Sequence, residues 1–306
     1  MEKIIIFSVL LFQTWSVLSL SRSTSKRPVA LVTGGTRGIG AGIAETLAEK
    51  YDLLLTFNTD ESTATEFSKS LVERGCENVQ CVGGDITLPL TRDKIFERLD
   101  SMNGELQILV HCAGQYVGIT SDNVEGIDDA PLSFGDGSLL DDGKTNFKTM
   151  HYYQRMYGEA FIDLCERSLL RMGDKDVGGS IVGISSPGVT AHYYGPDSSY
   201  SMPGSGKCLM EYSMRIYAVK VAERNINVNV IVPGVTPTQA WNRLAKKRGL
   251  PDESKMLEGI VERIVPMKQP TMPSDIGNTV AFLSSKSGRF ITGTVLPVDG
   301  GLHLKR

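Results

Sequence analysis

Tyr200 and Lys207 stand seven positions apart in the run Tyr200-Ser-Met-Pro-Gly-Ser-Gly-Lys207, shortly after an apolar stretch that ends Ile184-Ser185-Ser186. A phenol is a weak acid with a free pKa near ~10, and an adjacent ammonium lowers it toward working pH, so the pair could donate a proton. A second run, Thr33-Gly-Gly-Thr-Arg-Gly-Ile-Gly40, lies between an apolar strand pattern and an amphipathic helix pattern. In that position Gly34 allows a tight bend, Gly38 lets backbone approach a pyrophosphate, and Gly40 lets helix and strand pack closely. The N–H groups and positive end of the following helix then face the phosphates.

These groups need a scaffold that brings chain segments about 170 residues apart to one place. Apolar runs at Val29–Val32, Asp52–Phe57, Val79–Gly83, Leu106–Val110, Ser180–Ile184, Ile226–Val232 and Gly293–Val298 predict seven strands. Helical spacing separates them, as in Ile39/Ile43/Leu47, Met156/Ala160/Leu164 and Leu209/Tyr212/Ile216/Val219. Strands alternating with helices predict an α/β fold, a parallel sheet covered on both faces. With no internal repeat, residues 28–306 read as one domain. The forty residues after Gly114 exceed an ordinary connection. Gln115–Gly143 holds no lysine or arginine but carries Asp122, Glu125, Asp128, Asp129, Asp136, Asp141 and Asp142. This acidic insertion, about 115–145, is either a solvated excursion or a lid or partner surface at the carboxyl edge of the sheet.

Composition narrows the classes. Lysine and arginine number 32 against 35 acids, and the longest basic block is Lys246-Lys-Arg248, so nucleic acid is not an expected partner. The cysteines at 76, 81, 112, 165 and 208 are odd in number with no C-x-x-C, which argues against a disulfide framework or a metal site. Ile4–Phe12, broken only by Ser8 and preceded by Lys3, resembles a secretory signal, with Ser19 and Ser21 as cleavage-site residues. Residues 4–20 also leave a short membrane anchor open. Ser21–Arg27 is basic, hydroxyl-rich and acid-free, like a transit peptide. Residues 1–27 therefore read as a targeting segment. It is either a two-part leader to a plastid or a signal to the endoplasmic reticulum or its membrane.

Taken in order, Thr33-Gly-x-x-x-Gly-x-Gly40, Asp85-Ile86, His111-Cys-Ala-Gly114, Ser186, Lys207, Pro233-Gly234 and Val298-Asp-Gly-Gly301 resemble the short-chain dehydrogenase/reductase superfamily over residues 28–303. The resemblance implies a single Rossmann-like domain with a doubly wound, seven-stranded parallel sheet, assembled as dimers or tetramers. It implies chemistry by Ser186, a tyrosine acid and Lys207, which also holds the nicotinamide ribose. It places Gly34, Thr36, Arg37, Gly38, Ile39, Gly40, Asn58, Asp85, Ile86, Ala113, Gly114, Pro233, Gly234 and Thr238 around the cofactor. Within that set Asp85 contacts adenine, and Thr238 reaches the phosphates or the amide. The second strand ends Thr56-Phe57-Asn58-Thr59 with no acid before Asp60, and Arg37 offers a guanidinium to a 2′-phosphate. NADPH is the expected cofactor.

The chain departs from the family's pattern at several points. The usual spacing is Tyr-x-x-x-Lys, which would put the acid at Pro203. Tyr200 and Lys207 instead match the Tyr-(x)6-Lys spacing of enoyl-(acyl-carrier-protein) reductases. That resemblance favours reduction of the C=C of an enoyl thioester or similar enone. Carbonyl reduction of the 3-ketoacyl type, alcohol oxidation, and a nucleotide-binding pseudo-reductase with Tyr200 only a packing residue stay open. His111-Cys replaces an Asn-Asn pair. The helix asparagine of the family's proton relay falls on Tyr157 when counted from Met172, with Asn146 as a distant substitute. Tyr193 or Tyr194 would be the second tyrosine of enoyl reductases, with His192 beside them at the surface. Trp241 to Val265 would form the substrate lid.

Overall fold

The computed structural model describes residues 26–114, 147–173, 178–189, 201–239 and 253–305. Strands β1 (Val29–Thr33), β2 (Asp52–Phe57), β3 (Val79–Gly83), β4 (Leu106–His111), β5 (Gly179–Ile184), β6 (Ile226–Pro233) and β7 (Val295–Val298) pair in parallel, in the order β3-β2-β1-β4-β5-β6-β7. Every residue of β1 and β6 is buried because helices cover both faces, and the two polar residues inside β6, Asn227 and Asn229, donate to Leu283 O and Ile291 O at 2.7 Å each. The two-residue period still sorts them by face. Leu31 and Leu54 point into one core with Phe96, Phe161 and Met210. Ala30, Val32, Leu53 and Leu55 point into the other with Ile43, Leu47 and Val280.

Helices α1 (Gly38–Leu47), α2 (Glu61–Glu73), α3 (Pro89–Ser101), α4 (Phe147–Tyr153), α5 (Ala160–Leu169), α6 (Ser201–Val221), α7 (Glu253–Ile264) and α8 (Pro273–Leu283) complete the described architecture. Between α4 and α5 the helix widens into a π-helical turn, Gln154–Glu159. From β1 the order runs outward through β2 and β3 on one side and through β4 to β7 on the other. That reversal opens a crevice at the carboxyl ends of β1 and β4, where Thr33 pairs with His111. Among the described residues no helix is long and apolar enough to cross a membrane.

Two details differ from the sequence reading. Helix α6 lies where Leu209/Tyr212/Ile216/Val219 put it, but most of that stripe faces outward: Tyr212 is 64% exposed, Ile216 50% and Val219 82%. Met202, Met210, Met214 and Tyr217 supply the buried face instead. Arg27, assigned to the targeting segment, belongs to the fold. Its Nη2 donates to Ala48 O (2.7 Å) and Tyr51 O (3.2 Å), and its guanidinium pairs with Asp52 at 3.5 Å. We expect Arg27→Ala to cost about 1–3 kcal/mol in denaturant unfolding, because it leaves a partly buried carboxylate and two carbonyls short of a donor. An unchanged midpoint would show that these contacts do not hold the domain together.

Candidate active site

The floor of the crevice is a hydroxyl, Thr33 Oγ1, at the end of β1. It accepts from Cys112 N and Ala113 N, each at 3.1 Å, so its own proton is directed to His111 Nδ1 at 3.0 Å. The remaining imidazole proton then sits on Nε2, which meets Met156 O at 3.0 Å. Met156 lies in the π-helical turn, where Ala160 N–H reaches back five residues to Arg155 O. In a regular α-turn that N–H would bond Met156 O; here the carbonyl is open toward His111. Burial pushes the His111 pKa down to about 4, which keeps the ring neutral.

The glycine turn is tied to this floor from the other side. Gly34 N donates to Thr56 Oγ1 (3.1 Å) and Gly35 N to Thr56 O (3.1 Å), joining the turn to β2. Gly34 has φ +64°, and a methyl group there would stand 2.9 Å from Ala113 Cα. A methyl group on Gly40 would collide with Gly34 O, and one on Gly38 (φ +54°) would lie 3.3 Å from Thr238 Cγ2. The turn, Ala113 and Thr238 therefore converge. No side chain caps the start of α1 and no acid stands in its first turn, so its N–H groups suit a pyrophosphate.

Around this cradle the expected residues take distinct places. Arg37 is exposed before α1, Thr36 is buried, and Ile39 packs against the core. Asp60 caps α2, its carboxylate accepting from Thr63 N (3.1 Å), Thr63 Oγ1 (2.8 Å) and Ser62 Oγ (3.1 Å). Those bonds, with a smaller contribution from the Arg37 charge, lower its pKa. Asn58 O accepts from Gly84 N at 3.1 Å. Asp85 is buried, accepts from Thr87 N at 2.9 Å and lies 3.4 Å from Tyr152 Oη. Ile86 O is held by Arg92 Nη1 (2.7 Å), and Gly234 N, after buried Pro233, by Val298 O (2.9 Å).

Lys207 is the buried cation of the site. Its Nζ donates to Ile184 O at 3.1 Å and lies 4.5 Å from the centre of the Tyr157 ring. Burial lowers its pKa to about 8, partly offset by the Glu211 carboxylate. Burial also pushes the Cys112 thiol up to about 12. Ser186 follows β5 and is half-buried, while its neighbour Ser185 donates to Glu211 Oε1 at 2.5 Å. Pro203 occupies the first turn of α6, where a missing N–H costs nothing. Tyr200, Tyr193, Tyr194, His192, Asn146, Trp241 and the insertion at 115–145 lie outside the described residues, as do residues 1–25 of the expected targeting segment. Sequence reasoning named Tyr157 only as a missing asparagine; the Tyr153/Tyr157 pair, four residues apart on a helix, was the available signal.

Two family models match the chain: one described as short chain dehydrogenase over residues 28–131, and one described as Enoyl-(Acyl carrier protein) reductase over residues 135–303. Among similar proteins, the 3-oxoacyl-(acyl-carrier-protein) reductase FabG of Escherichia coli (strain K12) is 30% identical, covering 90% of this chain and 97% of its own. The enzyme of the same name from Haemophilus influenzae is 32% identical over 90% of this chain and 98% of its own. The solved structure of L-sorbose reductase from Gluconobacter frateurii, complexed with NADPH and L-sorbose, superposes with a TM-score of 0.72 at 25% identity, covering 90% of this chain and 96% of that one.

The buried imidazole gives the site a pH signature. Between pH 6.5 and pH 4 the unfolded chain takes up a proton that folded His111 refuses, so stability is present above that window and lost as pH falls through it. The loss attributable to His111 is of the order of 3 kcal/mol. We expect His111→Asn to flatten the slope of unfolding free energy against pH in that window, whatever it does at pH 7. An unchanged slope would place the acid sensitivity elsewhere.

Proposed function

The chain belongs to the short-chain dehydrogenase family, and from that premise we propose that it is an NADPH-dependent reductase of a 3-oxoacyl thioester. Held by the glycine turn and Lys207, NADPH would be the hydride source for the ketone carbon, and Tyr200 would give the ketone oxygen a proton, leaving an alcohol. The observation that carries a working reductase is the Lys207 ammonium, buried at the carboxyl end of β5 and held by Ile184 O, where it would face ribose and acid together. Ser186, two residues past the end of β5, would orient the ketone oxygen. Support for carbonyl over C=C reduction comes from the relatives, which this chain covers almost from end to end. Support for NADPH comes from Arg37 at the mouth of the glycine turn and from Asp60 being engaged in capping α2.

A second reading, reduction of an enoyl thioester, is favoured by the seven-residue step from Tyr200 to Lys207 and by proline at 203. The full chain offered 3-oxoacyl and 2-enoyl thioesters of matched length with NADPH separates the two. Faster oxidation of NADPH with the 3-oxoacyl substrate supports our reading, and the reverse order supports the second. Cofactor binding without turnover of either would make the chain a pseudo-reductase. In the active case we expect Tyr200→Phe to keep NADPH affinity and lose roughly 10²–10⁴-fold in kcat. Lys207→Ala should lose both. Arg37→Ala should remove a preference of about tenfold for NADPH over NADH.

We also propose that a second copy of the chain covers the outward stripe of α6, Tyr212, Ile216 and Val219, with Leu170 just past α5. Sedimentation should then show Ile216→Glu with Val219→Glu as a monomer and the parent chain as a dimer or larger. We further propose that residues 1–27 direct the chain to a plastid, which a fluorescent protein carrying them tests against the endoplasmic reticulum.

A further inference from the structure

Building on the reductase reading above, we propose that Tyr157 is the positioning residue of Lys207: its ring face holds the ammonium where ribose and acid require it. In the family pattern this position carries an asparagine of the proton relay. Here an aromatic face and a backbone carbonyl take the cation between them, with Nζ 4.5 Å from the ring centre and 3.1 Å from Ile184 O.

Neighbouring groups hold the ring in place. It stacks on Tyr153 with centroids 6.1 Å apart and planes 2° from parallel. Its edge closes against the end of β4, since a methyl group at Gly114 would lie 3.0 Å from Tyr157 Cε1 and 3.2 Å from its hydroxyl oxygen. The approach of α6 to the π-helical turn depends on two further glycines. A side chain at Gly206 would collide with Tyr153 O, and one at Gly158 with Leu209. The chain has therefore given up side chains on both helices to bring Lys207 onto this ring.

The other groups facing Lys207 hold it less directly. Glu211, one turn along α6, is engaged by Ser185 Oγ, and Cys112, beyond β4, is kept as a neutral thiol. His111 behind it is neutral. A desolvated ammonium over an aromatic face gains from the ring's quadrupole, which favours the charged form against burial. Removing the ring's negative face should lower the pH at which Lys207 loses its proton, and NADPH binding should follow.

The test uses the full chain, lysine-selective NMR of the cofactor-free protein to follow Lys207, and fluorescence titration of NADPH across pH. Tyr157→Phe should leave the Lys207 titration and NADPH affinity within threefold of the parent. Tyr157→Leu should move the titration down by about one pH unit, and the alkaline limb of NADPH binding with it. Phenylalanines of increasing fluorination at position 157 keep the shape while draining the π face, so they answer even where Tyr157→Leu does not fold. They should shift Lys207 downward stepwise. A titration point unmoved by fluorination overturns the proposal, as does Tyr157→Phe shifting it as far as Tyr157→Leu. None of these readouts needs a thioester, so failure of the substrate assignment leaves this outcome separately legible.

Discussion

The structure turns on keeping one ammonium charged inside the protein. Lys207 has lost nearly all its contact with water, and an isolated buried ammonium would shed its proton. Ile184 O alone is a weak answer, so the Tyr157 ring supplies the other side. The ring stands on the π-helical turn before α5, and that widening opens Met156 O to the side. An open buried carbonyl needs a donor, which His111 provides. The imidazole must then be neutral and in one tautomer, and the Thr33 hydroxyl sets that tautomer from the opposite side.

Thr33 connects this polar chain to the cofactor cradle. By accepting from Cys112 N and Ala113 N it fixes the backbone beyond β4 against the first turn after β1, where Gly34 leaves no room for a Cβ. Thr56 does the same between the glycine turn and β2. The three strand ends that border the crevice are thus locked by two buried hydroxyls. A cofactor bound across the turn and a lysine under α6 would be positioned by one hydrogen-bonded framework, which limits how far they could drift apart.

Much of this was readable from residue order. The seven strands fell within a residue or two of their places because strands buried on both faces are dominated by apolar and β-branched residues. The glycine turn was legible from its place between an apolar strand and an amphipathic helix, and Asp85, Lys207 and Pro233-Gly234 from the family resemblance; the structure brings the turn close to Ala113 and Thr238 and sets Lys207 against Ile184 O. The outward stripe of α6 was not readable: its apolar residues recur at helical spacing just as core residues do, and Met202, Met210 and Met214 form a second stripe beside them. The widened turn escaped because a π-turn shifts the helical register, and no local residue type announces it. Arg27 escaped for a different reason: its partners are carbonyls and an acid brought near only by the fold.

Pro203 sharpens what remains of the chemistry. Helix α6 begins at Ser201, and proline fits its first turn without breaking a backbone bond. The helix therefore positions Lys207 as firmly as it would with a tyrosine at 203, but it presents no acid one turn before the lysine. A tyrosine acid working with Lys207 would then come from chain preceding Ser201 or from another element. Tyr200, the residue immediately before the helix, meets that requirement with the shortest connection. The donor's place relative to the ring-held ammonium would then select the oxygen it serves, that of a ketone or that of an enolate farther from the hydride. Specificity between C=O and C=C in this chain would follow from three residues of helix start, with the cofactor cradle unchanged.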